Sequence, residues 1–97
     1  MISVHNIFIC KPGNAGKLAK LFKEWADFKK DRKMSVMTDM TGQYHRVIIT
    51  ENHQSLAAYE EAEKNMGQSP EEKAPMEKFK DMNEMYVSGS REIFKVW

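Results

Sequence analysis

The 97-residue sequence contains one cysteine, Cys10. A single thiol permits no intrachain disulfide and no thiolate metal cluster within one chain. Long apolar runs are also missing. The N-terminal run is only Ile7-Phe8-Ile9-Cys10 with no basic region before it, which does not read as a signal peptide. Nothing approaches the ~20 apolar residues of a membrane span. Neither sign of charge dominates: 15 Lys and Arg face 14 Asp and Glu, for a net charge of +1. No block of like charge is long enough for a nucleic-acid arm. Repeats, low-complexity tracts, a P-loop, a dinucleotide fingerprint, a nucleophile elbow and a zinc signature are all absent. These absences lead to the expectation of one cytoplasmic domain over residues 1–97, without nucleic-acid or membrane partners, metal or cofactor.

What is present suits an ordinary folded domain: 41% hydrophobic and 30% charged residues. A chain of this size buries roughly two thirds of its unfolded surface, enough for one modest core. Eight methionines are many for the length. They fill irregular core gaps or line adaptable pockets.

The strongest local signal is a β-hairpin over Met34 to Glu51, MSVMTDMTGQYHRVIITE. Gly42-Gln43 suits a two-residue loop with Gly in the position that needs φ > 0. Thr41 then opposes Tyr44, Met40 opposes His45, Asp39 opposes Arg46 and Thr38 opposes Val47. Alternation puts Val36, Thr38, Met40, His45, Val47 and Ile49 on one, mostly apolar, face. The other face carries Met37, Asp39, Tyr44, Arg46, Ile48 and Thr50.

Before the hairpin, Ser3 to Cys10 reads as a strand, ended by Lys11-Pro12-Gly13-Asn14, with Asn14 as an N-cap. Ala15 to Lys30 is predicted as an amphipathic helix with Leu18, Leu21, Phe22, Trp25 and Phe28 on its apolar side. Trp25 at that spacing reads as core. Lys29 to Lys33 is a basic run that either complements the helix dipole or binds phosphate. After the hairpin, His53 falls in a solvent-facing loop and Ser55 caps a helix from Leu56 to Met66. Glu60, Glu61 and Glu63 are expected to be exposed. Ser69-Pro70-Glu71-Glu72 looks like a fresh helix start, disturbed by Pro75. A regular helix is predicted over Met76 to Val87, with Gly89 as its C-cap, and a last strand over Arg91 to Trp97.

The order β-α-β-β-α-β is that of the ferredoxin-like α+β fold. The expectation is an antiparallel four-stranded sheet with helices on one face, its first and third strands central and running side by side in parallel. Apolar residues then fall on both sheet faces: Val4, Phe8 and Cys10 on one, Ile7 and Ile9 on the other. An apolar face without helices calls for a partner, and the simplest is a second copy, making a homodimer.

HNIFICKPGNAGKLAKLF resembles the first strand, K-P-G turn and first helix of the dimeric α/β-barrel superfamily, and ENHQSLAAYEE resembles the start of its second helix. That group includes antibiotic-biosynthesis-type monooxygenases, haem-degrading monooxygenases, NIPSNAP-like proteins and stress-responsive barrel proteins. The resemblance implies a dimeric barrel and a first-strand Asn that binds or activates substrate, a place occupied here by Asn6. Haem-degrading members also use a Trp and a His from the second helical region. Leu56 to Val87 has neither, so haem is not expected.

Candidate catalytic residues are Asn6 and His45; candidate substrate-binding residues are Asn6, Tyr44, Arg46, Asp39 and His5. His5 and His45 would face each other near the starts of neighbouring strands, as an acid–base pair or two strand histidines. Asp39, Arg46 and Tyr44 form a substrate anchor or a cross-strand ion pair. Cys10 reads as a buried small hydrophobe. Two functions follow: a protein that binds or oxidises a small organic molecule between sheet and helices without a cofactor, or a non-catalytic dimerisation or stress-response module. A ligand-sized pocket favours the first, a fully packed interior the second.

Overall fold

The computed structural model describes residues 1–42 and 44–97. Four strands, β1 (Ile2–Cys10), β2 (Ser35–Thr38), β3 (Arg46–His53) and β4 (Tyr86–Lys95), form one sheet in the order β2-β3-β1-β4. Three helices join them: α1 (Ala15–Phe28), α2 (Leu56–Lys64) and α3 (Pro70–Glu77), with short 3-10 turns at Lys30–Arg32 and Met82–Glu84. This is the ferredoxin-like α+β fold expected from the element order.

Every neighbouring strand pair is antiparallel, which corrects the expected parallel pairing of β1 and β3. Ile2 pairs with His53 and Ile9 with Arg46. The reason is directional. Helix α1 returns the chain so that β2 runs with β1, and the hairpin then reverses it, so β3 must oppose β1.

The hairpin has the expected register, with Thr38 opposite Val47 and Val36 opposite Ile49. Its ladder stops at Thr38, and the arms predicted to reach Thr41 and Tyr44 are not strand. Gln43 lies outside the described residues, and with it part of the Gly42-Gln43 turn. His45 sits at φ +62°, a left-handed conformation that a strand cannot contain.

Alternation places Val47, Ile49 and Glu51 of β3 and Val4 and Cys10 of β1 on the helix-covered face, all buried. Leu18 and Trp25 of α1 close over them. Burial of such side chains stabilises by about 1.5–3 kcal/mol each. Phe28, expected on the apolar side, is 45% exposed because the helix ends at it. Asn14 occupies the cap position without a side-chain bond, whereas Ser55 Oγ accepts the Ala58 N–H at 3.1 Å.

The C-terminal third departs most from expectation. The predicted helix over Met76 to Val87 is replaced by the end of α3, a 3-10 turn and β4, which starts at Tyr86. Gly89 is therefore not a helix cap but a mid-strand residue opposite Phe8. A Cβ there would lie 3.4 Å from Phe8 Cδ1, in van der Waals contact with the ring, so atoms beyond a Cβ would press on it. Met82, Met85 and Tyr86, spaced as for a helix, still turn inward against the core. Their burial is thus kept while the backbone changes.

On the sheet's other face alternation gathers Ile7, Ile9, Ile48, Met37 and Phe94. No helix packs there, and Met37 and Phe94 remain nearly half exposed.

Candidate functional site

Between the sheet and its helices lies a cavity of about 260 Å³. Its floor is Asn6 and Phe8 from β1, Ile49 and Glu51 from β3 and Arg91 from β4. Phe22 and Trp25 of α1 form one wall with Met34; Met66, Met76, Phe79 and Met82 form the other. Four of the eight methionines thus line it, and two of these, Met34 and Met82, also pack against the core. The interior is not fully packed.

One end is polar. Arg32 Nη2 donates to Glu51 Oε1 at 2.7 Å and to Glu63 Oε1 at 3.1 Å. Both Arg32 and Glu51 are nearly buried, with side chains 9% and 4% exposed. The arginine thus neutralises a carboxylate that the sheet would otherwise bury unpaired. His53 Nε2 approaches Glu51 Oε1 to 3.2 Å but is not aligned for a hydrogen bond. The His53 ring packs on Tyr59 at 5.1 Å. Arg32 Nε, Glu51 Oε2 and the Tyr59 hydroxyl are buried without a partner among the described residues. Burial, followed by the Glu63 charge, pushes the Tyr59 phenol up, so it stays protonated.

At the rim, Arg91 Nε donates to Asn6 Oδ1 at 2.8 Å. Strand pairing sets this contact, since Asn6 and Arg91 are direct partners. The guanidinium lies 5.6 Å from the Tyr59 ring centroid, within cation–π range. Away from the cavity, Glu72 accepts from Lys29 Nζ at 2.7 Å and from the Gly67 N–H. The basic run expected to end α1 or bind phosphate therefore spends Lys29 and Arg32 on internal carboxylates.

Of the site residues predicted from sequence, Asn6 lies in the cavity. Asp39 and Arg46 form the expected cross-strand pair, at 3.1 Å, but on the hairpin and not on the cavity wall. Tyr44 is 82% exposed. His5 lies on the other sheet face, with Nε2 3.1 Å from Ser3 Oγ and its ring against Phe94. His5 and His45 do not meet. His5 is opposite Thr50, while the His45 carbonyl accepts the Cys10 N–H at 2.7 Å. In antiparallel strands the two starts lie at opposite ends, about 17 Å apart along the sheet. His53 ends β3 and is largely buried, not a solvent-facing loop residue. Glu63, expected to be exposed, is half-buried against Arg32. Cys10 is buried as expected, and burial pushes its thiol pKa up.

The sequence reading missed Arg32, Glu51, Glu63, Tyr59 and Arg91. A signal existed for Glu51: it shares the parity of Val47 and Ile49, so it had to be a buried carboxylate with a cationic partner. Arg91 had none, because its place beside Asn6 depends on the β1–β4 register.

A second groove, of about 340 Å³, runs between α1 and α3, past Leu21, Phe28 and Pro75. Its charged groups Glu24, Asp27 and Lys78 are exposed. Among the described residues, no three His, Cys, Asp or Glu side chains converge as a metal shell requires. No helix is long and apolar enough to cross a membrane.

No protein-family profile matches the sequence, and no curated protein matches it. Solved structures do. An uncharacterized NIPSNAP domain protein from Burkholderia xenovorans aligns over 100% of this chain and 95% of its own, with a TM-score of 0.76 at 8% identity. A NIPSNAP family protein from Agrobacterium tumefaciens aligns over 98% of this chain and 85% of its own, with a TM-score of 0.77 at 15% identity. A candidate antibiotic biosynthesis monooxygenase from Deinococcus radiodurans aligns over 100% and 93%, with a TM-score of 0.66 at 17% identity. At 8–17% identity these likenesses establish a shared fold: the ferredoxin-like α+β arrangement of NIPSNAP-like and antibiotic-biosynthesis-monooxygenase-like structures.

Proposed function

We propose that this chain binds a compact, largely apolar organic molecule in the cavity between sheet and helices, and that it works as a homodimer. One observation carries the binding reading: an aromatic- and methionine-lined cavity of about 260 Å³ that converges on a few polar groups at one end. Small-molecule sites are built in this way. The size falls just below the usual range of about 300–1,000 Å³ for such sites and suits a molecule of one ring or a short chain. Monooxygenation is the reaction suggested by the description of the Deinococcus radiodurans neighbour, and oxygen uptake in the presence of a bound candidate tests it.

The cavity methionines supply the direct test of binding. With 13C-methyl-methionine labelling, a ligand in the cavity shifts Met34, Met66, Met76 and Met82 and leaves Met1, Met37 and Met40 in place. A fragment collection that moves none of the four would overturn the reading. The homodimer is supported by the apolar sheet face without helices, through Ile7, Ile9, Ile48, Met37 and Phe94.

A further inference from the structure

We infer that the cavity selects an organic anion, a compact aryl or alkyl carboxylate, through Arg91 and Asn6; this rests on the binding reading above. Among the described residues, ion pairs engage Arg32 with Glu51 and Glu63, Lys29 with Glu72, and Arg46 with Asp39. Arg91 differs from these. It has no carboxylate within ion-pair distance among the described residues, although it lines the one cavity with a buried polar end.

Arg91 is also held in place. Its Nε is bound by Asn6 Oδ1 at 2.8 Å and its plane lies by the Tyr59 ring. Among the described residues, that leaves the two terminal amino groups of the fork without a hydrogen-bond partner. The same bond commits the Asn6 carboxamide oxygen, so its Nδ2 is the atom left to donate. At the rim, Arg91 and Asn6 therefore both present donors. The two carboxylates of the polar end are turned to Arg32 and do not reach the rim arginine. A planar guanidinium edge beside an amide N–H matches the two oxygens of a carboxylate. The rest of the ligand meets Phe8, Phe22 and Trp25, which call for an apolar body.

The experiment compares 3-phenylpropanoate with 3-phenylpropanamide, which has the same shape and no charge, using the labelled methionine methyls at pH 7.5. The expected result is that the acid binds roughly two- to fivefold more tightly, the range an exposed ion pair supplies. Arg91→Gln should erase that advantage by weakening the acid more than the amide, and Arg91→Lys should keep part of it. Arg91 is exposed and β4 is held by backbone pairing, so both variants should fold; amide backbone spectra check this. Equal binding of acid and amide, or an acid preference that survives in Arg91→Gln, would overturn the anion inference and leave the cavity reading intact. If neither compound moves a cavity methyl, the cavity reading falls as well.

Discussion

Arg32 and Asn6 are both polar residues at the cavity, yet the structure asks different things of them. Arg32 compensates a carboxylate buried in the sheet face, so Arg32→Ala leaves Glu51 charged and unpaired. Breaking such a pair costs about 3–5 kcal/mol, and urea unfolding should show a loss of that order. A loss below about 1 kcal/mol would mean that water or a neighbour replaces the guanidinium. Asn6 bonds to an exposed arginine, which water can solvate once the carboxamide is gone. Asn6→Ala should therefore cost less than about 1 kcal/mol while weakening ligand binding. Urea curves compared at fixed protein concentration, so that any dimer linkage cancels, separate this from a structural role.

At the scale of elements, one contact places the second helical region and another the last strand. Glu72, at the start of α3, joins Lys29 at the end of α1 and the Gly67 N–H. The Lys29 hydrogen bond holds the Glu72 carboxyl below its ordinary value of 4.5, against the opposing effect of burial, and Gly67 adds to it. A depressed folded value stabilises in full above the unfolded value and is lost as pH falls through the folded one. The native protein should therefore lose melting temperature below about pH 4.5, and Glu72→Gln should show a smaller drop over that range. Parallel pH profiles for the two proteins would count against this role. The second contact is Gly89 under the Phe8 ring. Gly89→Val adds branched atoms beyond a Cβ that already touches the Phe8 ring, so overpacking of about 1–3 kcal/mol is expected, read by thermal unfolding. An unchanged midpoint would show that Phe8 can swing away.

For the whole molecule, the shortest axis is 19 Å, the depth of one sheet and one layer of helices. The second sheet face therefore has only solvent or a partner to cover it. Sedimentation equilibrium at micromolar concentration should give about twice the 11.3 kDa chain mass. Ile48→Lys, placed on that face away from the helices, should shift the equilibrium toward a folded monomer. A native protein that sediments as one chain would remove the dimer, without touching the cavity on the opposite face.

Local chemistry was legible in the sequence wherever neighbours along the chain decide it. The amphipathic spacing of α1, the Ser55 cap, the hairpin register and the Asp39–Arg46 pair all depend on residues a few positions apart, and all are present. The element order also determined the fold class. Contacts between distant segments were decided only by the tertiary structure. Direction and register separate His5 from His45, bring Arg91 to Asn6 and put Gly89 beneath Phe8. The chain from Phe79 to Tyr86 shows why periodicity alone was insufficient. Its helical spacing buries Met82, Met85 and Tyr86 equally well from a 3-10 turn running into a strand, and pairing of Tyr86 with Cys10 chose the strand. The polar end of the cavity follows the same logic. A buried Glu51 announces that it needs a cation, but only the packing of the turn after α1 against β3 makes that cation Arg32.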